Sequence, residues 1–425
     1  MNKSMPDNAI LVLNSGSSSL KFGLYTTCLD HAPGGASPAR TDEGGAFAAE
    51  SGVEVRASTI AADVTAIYRG QIEGIGGGEG KIWLKDAEGK TLEQESRNFA
   101  QQSDTAKAVA EKLSKLKLPK LDGIGHRVVH GGPSLTAHQC ITPQVLQALE
   151  AAAHFAPLHV PTAIALIRET EKLYPGVPQF ACFDTAFHTT MPEAASRMPL
   201  PKKYWDAGIR RYGFHGLSCE SIVHALRDRV PKQLIVAHLG NGASVTAIVD
   251  GKSVDTTMGL TPTGGIIMGT RPGDLDPGVL LHLLNTGTDA KTLASLLDKE
   301  SGLLGISGSA SDMRKLHEAA DRGDQEAQLA IEMFARTAAK AIGGFVATMG
   351  NLDTLVFTGG IGEHDADVRE KICAGMEIFH LRLDEDKNKK NARDIGWIER
   401  AISVLVIESD EDGQIARHVV QLLRG

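Results

Sequence analysis

At 425 residues the chain is longer than one typical hydrophobic core supports, so two domains are expected. A formal net charge of −8, with 23% charged and 42% hydrophobic residues, is ordinary globular composition and argues against nucleic acid or an anionic membrane as the main partner. Any anionic substrate must therefore meet positive charge that is local rather than global.

Five cysteines (Cys28, Cys140, Cys182, Cys219, Cys373) are scattered without CxxC spacing, the pattern of a reducing compartment, and are read as packing residues. Neither a signal peptide nor an apolar run of about 20 residues is seen, so a cytoplasmic location is expected.

In chain order, the first element is a β-type run from Ala9, AILVL, meeting the turn NSGSSS and a second alternating run to Tyr25. Residues 29–52, rich in Gly, Pro, Ala and mixed charge, read as a surface insertion with no assigned function. GIGGGEG before KIWLK reads as a hairpin turn, and the GKT at 89–91 is no P-loop, because Leu84 stands where the first Gly of that motif belongs. Helical spacing follows over 101–116, a strand over 123–130, and helices over 143–155 and 161–174, the latter with Pro in its first turn. A buried-type strand, 179–183, ends in Asp184, and a helix is expected over 218–229. The stretch LIVAHLGNGASVTAIVDG (234–251) repeats the design of the first hairpin. Helices over 290–299 and 324–349, a strand at 354–357 running into the turn GGIG, a strand at 403–407 and a C-terminal helix complete an α/β alternation.

The two similar hairpins carry the first functional signal. Turns of Asn, Gly and Ser leave backbone N–H groups free and tolerate unusual φ, so they wrap phosphate closely. Ser15, Ser17, Ser18 and Ser19, with Lys21, add donors and a positive charge to the first turn. Singly, each is an ordinary β-hairpin; the pair points to a duplicated nucleotide-binding fold with ATP in the cleft between halves. Four further clusters carry chemistry-bearing side chains: GHRVVHGG with Arg127, FDTAFH with Asp184 at a strand end where α/β sites lie, RYGFHG with His215, and GIIMGTRPGD with Arg271.

Together these motifs resemble the acetokinase family of acetate and short-chain carboxylate kinases over nearly the whole chain. NSGSSSLKF is similar to its first signature and TTMGLTPTGGIIMGTRPGD to its second. APLH, HLGNGAS, SGSASDMR, FTGGIGEH and ESDEDGQIAR fall in family order. The resemblance implies the sugar kinase, Hsp70 and actin superfamily fold, with two RNase H-like α/β domains hinged around ATP and Mg²⁺ or Mn²⁺. It places domain I at 1–185 plus 409–425 and domain II at 186–408, with domain II expected to form a homodimer.

It further implies that Arg127 and Arg271 flank the transferring phosphoryl group, that His215 donates a hydrogen bond to it, and that His159 is a neighbour. Asn14 sets the phosphate chain or its basic partners and, with Glu411, serves the metal; Asp184 either orients an arginine or joins the metal shell. Ser17, Ser19, Lys21, His238, Leu239, Gly240, Asn241, Gly242, Asp312, Met313, Arg314, Gly360, Ile361 and Gly362 are the implied nucleotide residues. Met313 stands where relatives often carry Phe, which implies looser stacking on the purine.

The substrate methyl group is expected against Val129, Leu158, Phe214 and Pro262, and the bulk of Val129 favours acetate over propionate. A carboxylate is ionised at neutral pH and attacks phosphorus without a general base, so positioning and charge stabilisation dominate, a task suited to two arginines and a metal. Competing readings are a propionate or butyrate kinase with the same machinery, a sugar kinase, which would call for an Asp base, and an actin- or Hsp70-like ATPase, which has no use for the arginine pair.

Overall fold

The computed structural model describes residues 8–16, 18–27, 63–157, 159–397 and 401–425. Cys28, the 29–52 insertion, Ser17 and Leu158 lie outside them. Two sheets organise the chain. The first contains β1 (Asn8–Ser15), β2 (Ser19–Thr27), β3 (Val64–Glu73), β4 (Gly80–Asp86), β5 (Thr91–Arg97), β6 (Lys120–Val128), β7 (Gln139–Cys140) and β8 (Gln179–Phe183), in the order β5-β4-β3-β2-β1-β6-β8-β7. The second contains β9 (Gln233–Leu239), β10 (Ala243–Val249), β11 (Lys252–Thr256), β12 (Thr354–Thr358) and β13 (Ser403–Val406), in the order β11-β10-β9-β12-β13.

Stripped of its edge strands, the first sheet reads β3-β2-β1-β6-β8, the same path as the second. In each, an antiparallel three-strand meander is extended by two strands that run parallel to the first. This is the duplicated α/β fold expected from the two hairpins. The apolar runs behave as their composition demands: β8 and β12 are buried along their whole length, as strands covered on both faces must be. The largest core cluster lies under the second sheet, where Phe334, Ala338 and Ile342 of the long helix Gln325–Met349 pack against it.

The C-terminal helix (Glu411–Arg424) returns to the first sheet and packs Ile415 and Val419 over β1, β6 and β8. Its close seat explains two glycines in β6: a Cβ on Gly125 would lie 2.5 Å from Ile415 and 2.8 Å from Val419, and one on Gly123 would lie 3.0 Å from Val419. Three local expectations are corrected. GGIG is not an open turn but begins a short helix, Gly359–His364, because the Glu363 carboxylate accepts from the Gly359 N–H at 2.8 Å and closes the turn. The 290–299 helix is broken at residue 296, where the chain widens into a π turn over Leu296–Glu300. Cys182, Cys219 and Cys373 are buried, but Cys140, read as a packing residue, is exposed on edge strand β7.

Because the C-terminal helix touches the sheet at Gly125, Gly125→Val should destabilise the protein by about 1–3 kcal/mol through overpacking. Urea denaturation against wild type measures this, with Gly89→Val, in open space but at positive φ, as a control for backbone strain alone.

Candidate active site

Three adjacent parallel strand ends assemble the first half of the site. Register pairs Leu13 with His126 and Arg127 with Cys182, so Asn14, Arg127 and Asp184 emerge side by side from β1, β6 and β8. Arg127 donates from Nε to both oxygens of Asp184 (3.0 and 3.1 Å) and from Nη2 to Oδ2 (2.5 Å). Its Nη1 donates to Asn14 Oδ1 at 3.4 Å, while Asn14 Nδ2 donates to Glu411 (3.2 Å) and Asp412 (2.7 Å) at the start of the C-terminal helix. Burial pushes the Asp184 carboxyl up and the guanidinium opposes it. The bidentate geometry is that of an ion pair, and the neighbouring carboxylates keep Arg127 charged. Asp184 therefore orients the arginine.

The second half comes from the loops of the other sheet. His215 sits at φ +57°, in left-handed backbone, as the cap of the helix Gly216–Leu226. That strain is held by its surroundings: the Gly216 N–H donates to the Asp184 carbonyl at 2.9 Å, and His188 Nε2 lies 2.9 Å from the Phe214 carbonyl. His215 Nδ1 lies 3.0 Å from Ser244 Oγ and the ring stacks on His238 at 4.3 Å. Burial, with His238 and the two arginines nearby, pushes this imidazole well below its usual value, so it is neutral. The tautomer in which Ser244 donates to Nδ1 would place an Nε2–H toward the cleft. Arg271 hangs from the irregular loop after β11, with Nη1 donating to the Pro262 carbonyl at 3.1 Å; its backbone is clipped by Met268 N–H to the Arg271 carbonyl at 3.0 Å.

These groups line one cleft of about 830 Å³ between the sheets. Of the expected residues, Asn14, Lys21, Arg127, Val129, His159, Asp184, Phe214, His215, His238, Gly240, Asn241, Gly242, Pro262, Arg271, Gly360 and Glu411 border it. Ser19, Leu239, Ile361 and Gly362 do not line it: Leu239 is core, and the Gly362 carbonyl accepts from Arg369. Asp312, Met313 and Arg314, expected to meet the base, are not among the residues that line this cleft. Asp312 caps the helix Met313–Asp321 and pairs with exposed Arg314, and Met313 is buried in the core.

Residues that the sequence did not single out also border the cleft. Arg69, Gln71 and Trp83 arrive on the β3–β4 hairpin, which reaches the cleft by pairing with β2 some 40 residues earlier and so leaves no local signal. Glu363, Asp410 and Asp412 were visible as acids inside recognised motifs. Glu363 braces the far wall, its Oε1 accepting from Gly359 N–H and from Ser409 N–H at 3.1 Å.

For a divalent cation the fitting donors are carboxylates. Glu411 is held below the usual carboxylate range: burial pushes it up, but Arg127, His238 and Lys21 outweigh that. Asp412 lies beside it. Mg²⁺ keeps several waters and takes few carboxylates, which suits this sparse set. Asn14, expected as a second ligand, stands between Arg127 and Glu411, its amide bonded to both.

Residues 9–417 match the family described as the Acetokinase family. An acetate kinase of Methylocella silvestris is 41% identical over 424 residues, 97% of this chain and 98% of that one. A propionate kinase of Escherichia fergusonii is 41% identical over 367 residues, 84% of this chain and 90% of that one. The solved structure of Porphyromonas gingivalis acetate kinase superposes with a TM-score of 0.80 at 34% identity, covering 98% of this chain and all of the other.

Burial pushes His126, His130, His159 and His188 down to about 4, so the folded protein holds them neutral. In the unfolded chain they take up protons below about pH 6.5, so stability should fall as pH drops from there toward 4. Each contributes at most about 1.4 kcal/mol per pH unit in that window, which urea titrations at pH 7.5 and 5.5 measure.

Proposed function

The chain belongs to the acetokinase family and is a phosphotransferase with a carboxyl group as acceptor; on that premise we propose that it transfers the γ-phosphoryl group of ATP reversibly to acetate. The observation that carries the reading is the pair of arginines, Arg127 and Arg271, brought into one cleft from the two halves of the chain, with neutral His215 lining the same cleft.

The acetate oxygen attacks phosphorus in line; the new O–P bond forms as the bond from γ-phosphorus to the β-phosphate bridging oxygen breaks, and ADP leaves with that electron pair. The acceptor is already an anion, so the task is to bring it against a polyanion. Arg127, aimed by Asp184, and Arg271, aimed by the Pro262 carbonyl, supply fixed positive charge on either side. His215 Nε2–H adds a hydrogen bond where charge accumulates. The turns at Gly16 and at 240–242 cradle the phosphate chain, with Lys21 at its edge. Mg²⁺, held by Glu411 with Asp412, would neutralise phosphate oxygens. His159 is pushed down to about 4 by burial and the two arginines, and stays an uncharged wall of the acceptor pocket.

That pocket is closed by Val129, Phe214 and Pro262. One methylene is worth about 1–3 kcal/mol, so propionate should be used roughly 10- to 200-fold less well than acetate. We also place the dimer interface in the second half. There Leu275, Val279, Leu281 and Leu284 are exposed around the helix Pro277–Asn285, an apolar face suited to a second copy of the chain. Among the described residues no helix is long and apolar enough to cross a membrane, and a cytoplasmic enzyme is part of the same reading.

Incubation with MgATP, hydroxylamine and each acid, reading acyl hydroxamate, tests the reaction. Acetate should give the strongest signal, and Arg127→Ala and Arg271→Ala should each lower kcat by about 10²–10³-fold. A stronger signal with propionate or butyrate would overturn the pocket assignment; ATP hydrolysis indifferent to any acid would overturn the acceptor class.

A further inference from the structure

Below the catalytic centre, three half-buried side chains from three elements converge. His138, in the segment entering β7, has Nε2 at 3.2 Å from Glu220 Oε1, and His418 has Nε2 at 2.8 Å from Glu220 Oε2. The two rings lie 4.0 Å apart. Glu220 stands on the helix capped by His215, five residues further on, and His418 stands seven residues after Glu411. At 1.5 Å per residue the cluster sits about 7–10 Å beneath both. The third arm reaches the first sheet: the Phe183 N–H donates to His138 Nδ1 at 3.0 Å, one residue before Asp184.

That last bond decides what the cluster is. Two imidazoles and a carboxylate within ligand reach of one another would fit a transition metal. But a ring whose Nδ1 accepts from a backbone N–H carries its proton on Nε2, the atom that would have to bind the metal. The arrangement closes instead as hydrogen bonds: His138 Nε2–H donates to Glu220, and His418 Nε2 lies within hydrogen-bond distance of the same carboxylate (2.8 Å) and of the Gln414 amide nitrogen (3.0 Å). Burial pushes that carboxyl up, but His418 and His138 outweigh it and hold it down at about 2, so the acceptor stays ionised.

We propose that Glu220 is a positioning residue: by accepting from His138 and His418 it fixes the spacing between the Asp184–Arg127 pair, His215 and Glu411. The proposal rests on the phosphoryl-transfer reading above. Neutral contacts nearer the site, Ser409 Oγ to Ser218 Oγ at 3.0 Å and Asp410 N–H to Ser221 Oγ at 3.2 Å, hold the same two helices, so loss of the carboxylate should loosen the spacing without separating them.

The experiment compares Glu220→Gln, His418→Gln and His418→Leu with wild type. Gln at 418 keeps a donor near the place of Nε2 and Leu does not. Glu220→Gln and His418→Leu should lower kcat about 10- to 100-fold and raise the half-saturating Mg²⁺ concentration severalfold. The KM for acetate and the metal-free Kd for ADP should stay within twofold. His418→Gln should stay within threefold of wild type in every parameter and, should Glu220→Gln fail to fold, the two His418 variants decide alone. Unchanged kcat and Mg²⁺ dependence in folded variants would overturn the proposal. So would equal losses in both His418 variants in step with a lowered melting temperature, which is the mark of a merely structural role. Stoichiometric Zn²⁺ in the purified wild type, lost in His138→Ala, would replace it with a metal centre. Wild type lacking acid-dependent turnover would strike the reaction itself, whereas active wild type with unaltered variants strikes this inference alone.

Discussion

The geometry of the site depends on one ion pair at the end of the first sheet. Arg127 is a long cation in a polyanion's path, and without a partner it would sample many rotamers. Asp184 takes one edge of its guanidinium, Nε and Nη2, and the remaining Nη1 is turned to Asn14. A buried pair of this kind gains little net stability, because desolvation offsets the Coulomb attraction. What it supplies is direction. The Asp184 backbone carbonyl adds a second service by accepting from Gly216, which brings the helix capped by His215 against the same residue. One strand end thus aims the arginine with its side chain and seats the imidazole with its main chain.

The acids form a second layer that works against the first. Glu411, Asp412 and Asp410 crowd the start of the C-terminal helix, where the helix dipole and free N–H groups favour negative charge. Left alone they would repel phosphate. Asn14 separates them from Arg127 by a single amide, donating to the acids and accepting from the cation, so opposite charges share the cleft without collapsing onto one another.

Sequence reasoning read the fold from the features that are local. The repeated hairpins foreshadowed two sheets of the same strand path, and the β8 run ending in Asp184 predicted a strand-end carboxylate. A direction that depends on a cap is not local in this sense. Asp312 starts a helix, and that start turns Met313 inward; the motif alone does not show it. Gly359 at φ +76°, with Glu363 closing its turn, became helical for the same reason. Arg69 and Trp83 reach the cleft by pairing across a meander, and His138, Glu220 and His418 meet from segments up to 280 positions apart, so neither group has a signature within any window of sequence.

The two hairpin turns face one another from separate sheets, so each half carries part of the phosphate cradle and neither carries all of it. A ligand gripped from both sides is bound with an affinity set by the distance between the sheets. Glu363, accepting from Gly359 N–H and from Ser409 N–H, ties the turn after β12 to the segment that leads from β13 into the C-terminal helix. The cradle is therefore complete only where the two sheets meet, and the segment running from β13 into the C-terminal helix is a covalent link across that seam.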